Sequence, residues 1–200
     1  MHAFFPSLSR VLVPTAVCIG MTACSATQDA GVRRSAARPD AASPDAVFPD
    51  AWVGAWSGTL EMLGERPSEG SIRMELVIAP TAAPDRYRWT IIYDGAAGRQ
   101  ERNYELVVRD KAAGVHAIDE RNGIVLETRE LGGAIFSWFS LGGANVIVRE
   151  QLLRDDDGER IDVELITALD RDTVTTGPNG EVRSLAPVSV QRASLRRREP

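Results

Sequence analysis

The sequence predicts an all-β domain: one antiparallel, up-and-down meander of about eight to ten strands closed into a barrel. Three observations lead there. From Trp52 onward, apolar residues recur at alternate positions, the spacing of strands with one dry and one wet face. The breaks between these runs are short and rich in turn-forming residues. No window shows the 3.6-residue apolar period of an amphipathic helix. A meander that closes leaves no strand edge open to unwanted pairing, which favours a barrel. A two-sheet sandwich is the alternative.

Residues 1–23 come first. A single Arg10 precedes an apolar run from Val11 to Gly20, which ends in Met21, Thr22 and Ala23 directly before Cys24. The run is about a dozen residues, short of the ~20 that cross a bilayer. A positive start, an apolar centre and small residues at the cut describe a secretory signal. The layout resembles the signal of bacterial lipoproteins, in which the cysteine is lipidated and becomes the first residue. Met21 stands where that family prefers Leu. An ordinary cleaved signal, cut near Ala23 or Ala26, is the alternative. The lipoprotein resemblance implies export across the inner membrane and anchoring to a membrane through lipid at Cys24. Ser25, rather than Asp, implies the outer membrane, with the protein facing the periplasm.

Residues 24–51 follow, rich in Ala, Pro, Asp and Ser, with Pro-Asp-Ala at 39–41, 44–46 and 49–51. Little there can bury apolar surface, so a disordered tether is predicted. A flexible chain of that length reaches ~30 Å from its anchor.

The folded domain is predicted over 52–197. Gly54, Trp56, Gly58, Leu60 and Met62 alternate in the first strand. Ile72, Met74, Leu76 and Ile78 do so in the second, and Tyr87, Trp89, Ile91 and Tyr93 in the third. Tyr104, Leu106 and Val108 follow, then a short strand with His116 and Ile118, then Ile124 with Leu126, then Ile135 with Phe139. Further strands read around 145–153, 160–169 and 187–195. The turns fall at Pro84-Asp85, Asp94-Gly95, Asn122-Gly123, Gly142-Gly143, Asp155 to Gly158 and Gly177 to Gly180. Asn-Gly between alternating runs is a strong hairpin signal.

Composition removes several function classes. Loss of residues 1–23 takes away one basic group and leaves 22 basic against 28 acidic, a net charge of −6. An acidic chain with dispersed charge is a poor fit to nucleic acid, so none is expected as partner. The two cysteines are Cys18 and Cys24, and the two histidines are His2 and His116. The mature domain thus holds neither an internal disulfide nor a Cys nucleophile, and His-rich or Cys-rich metal sites are excluded. No metal and no cofactor is expected.

The segment from Trp52 to Leu60 resembles the Gly-x-Trp first-strand signature of calycin-type barrels: lipocalins, avidins and fatty-acid-binding proteins. The resemblance rests on about nine residues and the strand pattern; other lipocalin signatures and the framework disulfide are missing. It implies that Trp56 plugs one end of the barrel beneath an Arg of the last strand. Arg192, or else Arg196, is available for that cover.

Polar residues on apolar faces are the remaining candidates. Ser137 and Glu150 interrupt apolar faces, and Tyr104 shares a face with Arg102, opposite Glu101 and Asn103. If these faces line a cavity, Tyr104, Ser137 and Glu150 are the polar fixtures for a ligand. Asp119 and Glu120 are neighbours on a strand and point to opposite faces, so they do not form a catalytic pair. His116 is expected to be hydrogen-bonded or exposed rather than a ligand. Phe136, Trp138 and Phe139 make one strand apolar on both faces, which demands a cover for the outer one.

The leading expectation is a membrane-tethered binding module for a small apolar ligand. The alternative is a filled barrel that acts as a structural or interaction module for another envelope protein. No nucleophile–base pair or phosphate loop is visible, and no catalysis is expected.

Overall fold

The computed structural model describes residues 47–64 and 71–198. The expected signal, Cys24 and the tether as far as residue 46 lie outside the described residues. Ten strands make one closed barrel. In chain order they are β1 (Gly54–Gly64), β2 (Ile72–Pro80), β3 (Arg86–Gly95), β4 (Gly98–Asp110), β5 (Val115–Asp119), β6 (Val125–Leu131), β7 (Ala134–Leu141), β8 (Ala144–Asp155), β9 (Gly158–Gly177) and β10 (Gly180–Arg197). Every strand pairs antiparallel with its neighbours in sequence, and β1 pairs with β10 from Trp56↔Arg197 to Gly64↔Ser189. The predicted meander barrel is therefore the fold, and the sandwich is ruled out.

Alternation places one face of each strand inside. The register aligns Ile78 with Trp89, Trp89 with Tyr104, and Tyr87 with Leu106. It continues through Leu106↔Ile118, Ile118↔Leu126, Thr128↔Ser137 and Ser137↔Val148 to Leu165 and Gln191. All of these face the interior. Two-residue turns at Gly132-Gly133 and Gly142-Gly143 have positive φ at both positions, near 60° and 78–79°. Glycine takes that conformation freely, and its twist matches the flanking strands.

Three boundaries differ from expectation. The folded part reaches back to at least Val47: Phe48 and Pro49 are buried, and Asp50–Trp52 form a 3-10 turn that leads into β1. These residues are not part of a disordered tether, because Phe48 packs its ring edge-on against Trp52 and His116 at centroid distances of 5.0 and 4.9 Å. Ile124 precedes β6 and is exposed, while its neighbour Leu126 faces inward. Finally, β9 and β10 run well beyond their predicted ends. Past Asp170, whose amide donates to the Gly143 carbonyl at 2.8 Å, they pair only with each other and form an arm. Register shifts around Pro187 mark the base of that arm, where bulges re-aim a strand.

Burial is unequal along the barrel axis. At the end where β1 begins and β10 finishes, Trp56, Leu76, Trp89, Leu106, Ile161 and Leu195 are essentially inaccessible. Toward the other end, inward-facing Met62, Ile91, Tyr93, Phe139, Val148, Leu165 and Gln191 are only partly buried, although strands surround them on all sides, while Met74, Val146 and Thr167 among them are buried. A residue that points into a closed barrel yet remains accessible borders space that side chains do not fill. One half is packed and the other is a cup.

Candidate functional site

The packed end is built on the first-strand motif. Trp56 is fully buried, and its indole N–H donates to the Trp52 carbonyl at 2.9 Å. The Arg197 guanidinium lies over the indole, 4.1 Å from the ring centroid. It also donates to the Val53 and Ala51 carbonyls at 2.8 and 3.2 Å, and to the Glu159 carboxylate at 2.7 Å. The covering residue is thus Arg197 and neither Arg192 nor Arg196. Register explains the correction: Trp56 pairs with Arg197, whereas Arg192 pairs with Glu61 and Glu164 on the outer face and bonds Glu164 at 2.7 Å. Arg196, also outside, pairs with Asp155.

Gly54 explains itself in this setting. A Cβ there would lie 2.4 Å from Arg197 Nη1, and the residue has φ +149°. Gly-x-Trp leaves room for the guanidinium that covers the Trp.

His116 lies at the same end and departs from expectation. It is inaccessible, and neither ring nitrogen has a hydrogen-bond partner among the described residues. Glu130 Oε2 is 3.8 Å from Nε2. Burial, then the Arg129 and Lys111 charges, hold the imidazole below its ordinary pKa of 6.5. The reason is topological: position 116 continues the inward face of Ile118, and Phe48 seals it from outside.

Of the three residues singled out as ligand fixtures, Tyr104 borders the cup, whereas Ser137 and Glu150 are buried in the wall. Tyr104 projects inward from β4 and is half-buried, Ser137 faces inward from β7, and Glu150 does so from β8. Ser137 Oγ shares a 2.8 Å hydrogen bond with Thr128 Oγ1. Glu150 lies between Ile135 and Val163 and, with no ion partner among the described residues, its pKa is pushed up by burial to about 7.

Two cup residues went unassigned in the sequence. Tyr93 projects inward from β3, and Arg102 stands beside Tyr104 with its guanidinium 5.3 Å from the Tyr93 ring centroid. Burial raises the Tyr93 hydroxyl pKa; the Arg102 charge opposes that and the Glu150 carboxylate adds to it. Tyr104 is also raised, mainly by burial, while the Arg102 charge lowers it. The signal that could have found Arg102 was present: the phase of Tyr104, Leu106 and Val108 carries position 102 inside.

Asp119 and Glu120 do not form a pair. Asp119 accepts the Arg121 amide at 2.8 Å and Glu120 accepts from the Asn122 side chain at 3.1 Å, which shapes the β5–β6 turn. On the outer wall Trp138 is 71% exposed, in register with Ile147, Ile166, Val190 and Leu63 across five strands.

No family model matches the chain, and no curated protein matches it. Among solved structures it is similar to the S-type phycobiliprotein lyase CPES from Guillardia theta, at a TM-score of 0.50 and 12% identity. The match covers 74% of this chain and 89% of that one. At that identity the likeness speaks to fold alone, and the fold is a lipocalin-like β-barrel.

Proposed function

We propose that the protein is a lipid-anchored barrel of the bacterial envelope that holds a small, largely apolar ligand in its open half. The observation that carries this reading is the unequal burial of the interior. Apolar walls with a few converging polar groups are the usual make-up of a small-molecule site, and Tyr93, Arg102 and Tyr104 supply the polar groups. The Met21-Thr22-Ala23-Cys24 sequence supports the anchor and the outer-membrane address. The reading assigns no catalytic step, but the structural neighbour is named a lyase. Chemical change of a bound molecule is therefore the enzymatic alternative.

The test uses the full chain carrying Cys24→Ala, which removes the expected lipid, and the neutral fluorophore phenylnaphthylamine. Saturable, blue-shifted fluorescence that is lost in Leu165→Trp, a change that fills the cup, is the expected result. No saturable signal with the unaltered cup would sink the reading. Mass spectrometry of the recovered probe decides between holding and chemistry.

The apolar row from Trp138 to Leu63 favours a second reading, docking of another envelope protein on the outer wall. Under that reading Trp138→Ser abolishes membrane-fraction complexes in cross-linking while probe binding in the cup is unchanged.

A further inference from the structure

We propose that the β9–β10 arm joins two copies of this chain: the outer edge of its β9 strand pairs with the same edge of a second copy, antiparallel, about a two-fold axis centred on Val174. The contact lies on the outside of the protein and stands whether or not the cup holds a ligand.

The arm has open edges. β8 last meets β9 where the Asp170 amide bonds the Gly143 carbonyl, and β1 last meets β10 at Gly64↔Ser189. From Arg171 to Gly177 the arm is a ribbon of two strands, exposed on both faces among the described residues. A two-stranded ribbon is marginal by itself in water, and further strands stabilise it. Its edges present unpaired backbone N–H and C=O groups, a template for another strand.

The two edges are not alike. Edges that must stay free are blunted by lysine, proline or bulges. β10 carries Pro187, with a register shift on either side of it. β9 has none of these devices between Arg171 and Gly177. Instead Thr173, Val174, Thr175 and Thr176 are consecutive β-branched residues, the type that favours a strand.

The occupant is a second copy because the β9 edge matches itself. Thr173-Val174-Thr175 reads the same in both directions. Antiparallel pairing about Val174 sets Val174 against Val174 of the second copy and Thr173 against its Thr175. It likewise sets Asp172 against Thr176 and Arg171 against Gly177, so no charge opposes a like charge. Arg183 bonds Asp172 at 3.0 Å and reaches Glu181 at 3.4 Å, which neutralises the charged face within each arm. The product is one four-stranded sheet, and the two-fold axis closes it as a dimer.

The experiment uses the full chain with both cysteines replaced, Cys18→Ser and Cys24→Ala, in analytical ultracentrifugation. A concentration-dependent equilibrium between monomer and dimer is expected. Val174→Lys sets two ammonium groups face to face and should raise the dissociation constant about tenfold or more. Val174→Thr should leave it nearly unchanged and guards against a misfolded lysine variant. Val174→Cys should form an interchain disulfide in air, because directly opposed strand residues have Cα atoms ~4.5–5.5 Å apart. Val182→Cys, on the far strand and about three strand spacings (~14 Å) from its counterpart, should not. A protein that stays monomeric at every concentration overturns the inference. So does a dimer that survives Val174→Lys, or one that is lost in Trp138→Ser while Val174→Cys fails to cross-link.

Discussion

Arg197, the last residue of β10, and Trp56, on β1, form a register pair in which the guanidinium lies 4.1 Å from the indole centroid. The same guanidinium holds the Ala51 and Val53 carbonyls. One side chain thus closes the β1–β10 seam, caps the barrel floor and fixes the lead-in turn. Loss of either partner should loosen all three.

Truncating a buried Trp costs ~3–5 kcal/mol, a large part of the ~5–15 kcal/mol that holds a domain together. Trp56→Ala should therefore lower the melting temperature steeply, with Trp56→Phe milder. Arg197→Met should cost about 1–2 kcal/mol through the lost cation–π contact and carbonyl bonds. Gly54→Ala should resemble Arg197→Met, because the new methyl displaces the guanidinium. Thermal circular dichroism of the four variants checks the order. An unchanged Gly54→Ala melt would show that the motif's glycine has no part in the cap.

Phe48 is buried against Trp52, Trp89 and His116. Phe48→Ala should thus cost ~3–5 kcal/mol, although it lies before the first strand. A chain that begins at Val47 should unfold cooperatively, and one that begins at Val53 should be markedly less stable. Equal denaturant midpoints for the two would mean that the lead-in turn is dispensable.

Strands with one wet and one dry face were legible, because burial imposes a period of two on residues such as Ile72 to Ile78. The arm was not. Around Thr173, Val174, Thr175 and Thr176 both faces are exposed, so no alternation records the strand. Phe48 was hidden for the opposite reason: a single apolar residue among Ala, Pro and Asp carries no period. The exchange of Arg192 for Arg197 is a matter of register, which is set by pairing between strands far apart in sequence. Tyr104, Ser137 and Glu150 stood out because each breaks an apolar face, and that same logic reaches Arg102 once its strand's phase is followed.

Anchoring depends on Cys24 in the proposed reading. Cys24→Ala should move the protein from the membrane pellet to the soluble envelope fraction, or leave the unprocessed chain. Mature Cys24→Ala protein that still pellets with membranes would place the anchor elsewhere.

His116 makes the floor of the barrel acid-sensitive. Its folded pKa lies below the unfolded value of 6.5. The contribution to stability is therefore complete above pH 6.5 and is lost as the pH falls from there toward the folded value, where the buried ring must charge. His116→Leu removes two unpartnered nitrogens and should flatten this part of the stability curve with little loss at neutral pH. Melting temperatures across the acid range test it. A variant with the same acid slope as the parent would shift the cause to another group.

Glu150 works in the other direction. Its folded pKa, about 7, exceeds the ordinary 4.5, and burial is the cause. Stability from this group is complete below pH 4.5 and is lost as the pH rises through 7. The gap corresponds to about 3 kcal/mol. Glu150→Gln stays neutral, so it should melt like the parent near the acid end and above it at about pH 8.5. Melting temperatures of parent and Glu150→Gln across that range test it, and equal values at about pH 8.5 would assign the loss to another group.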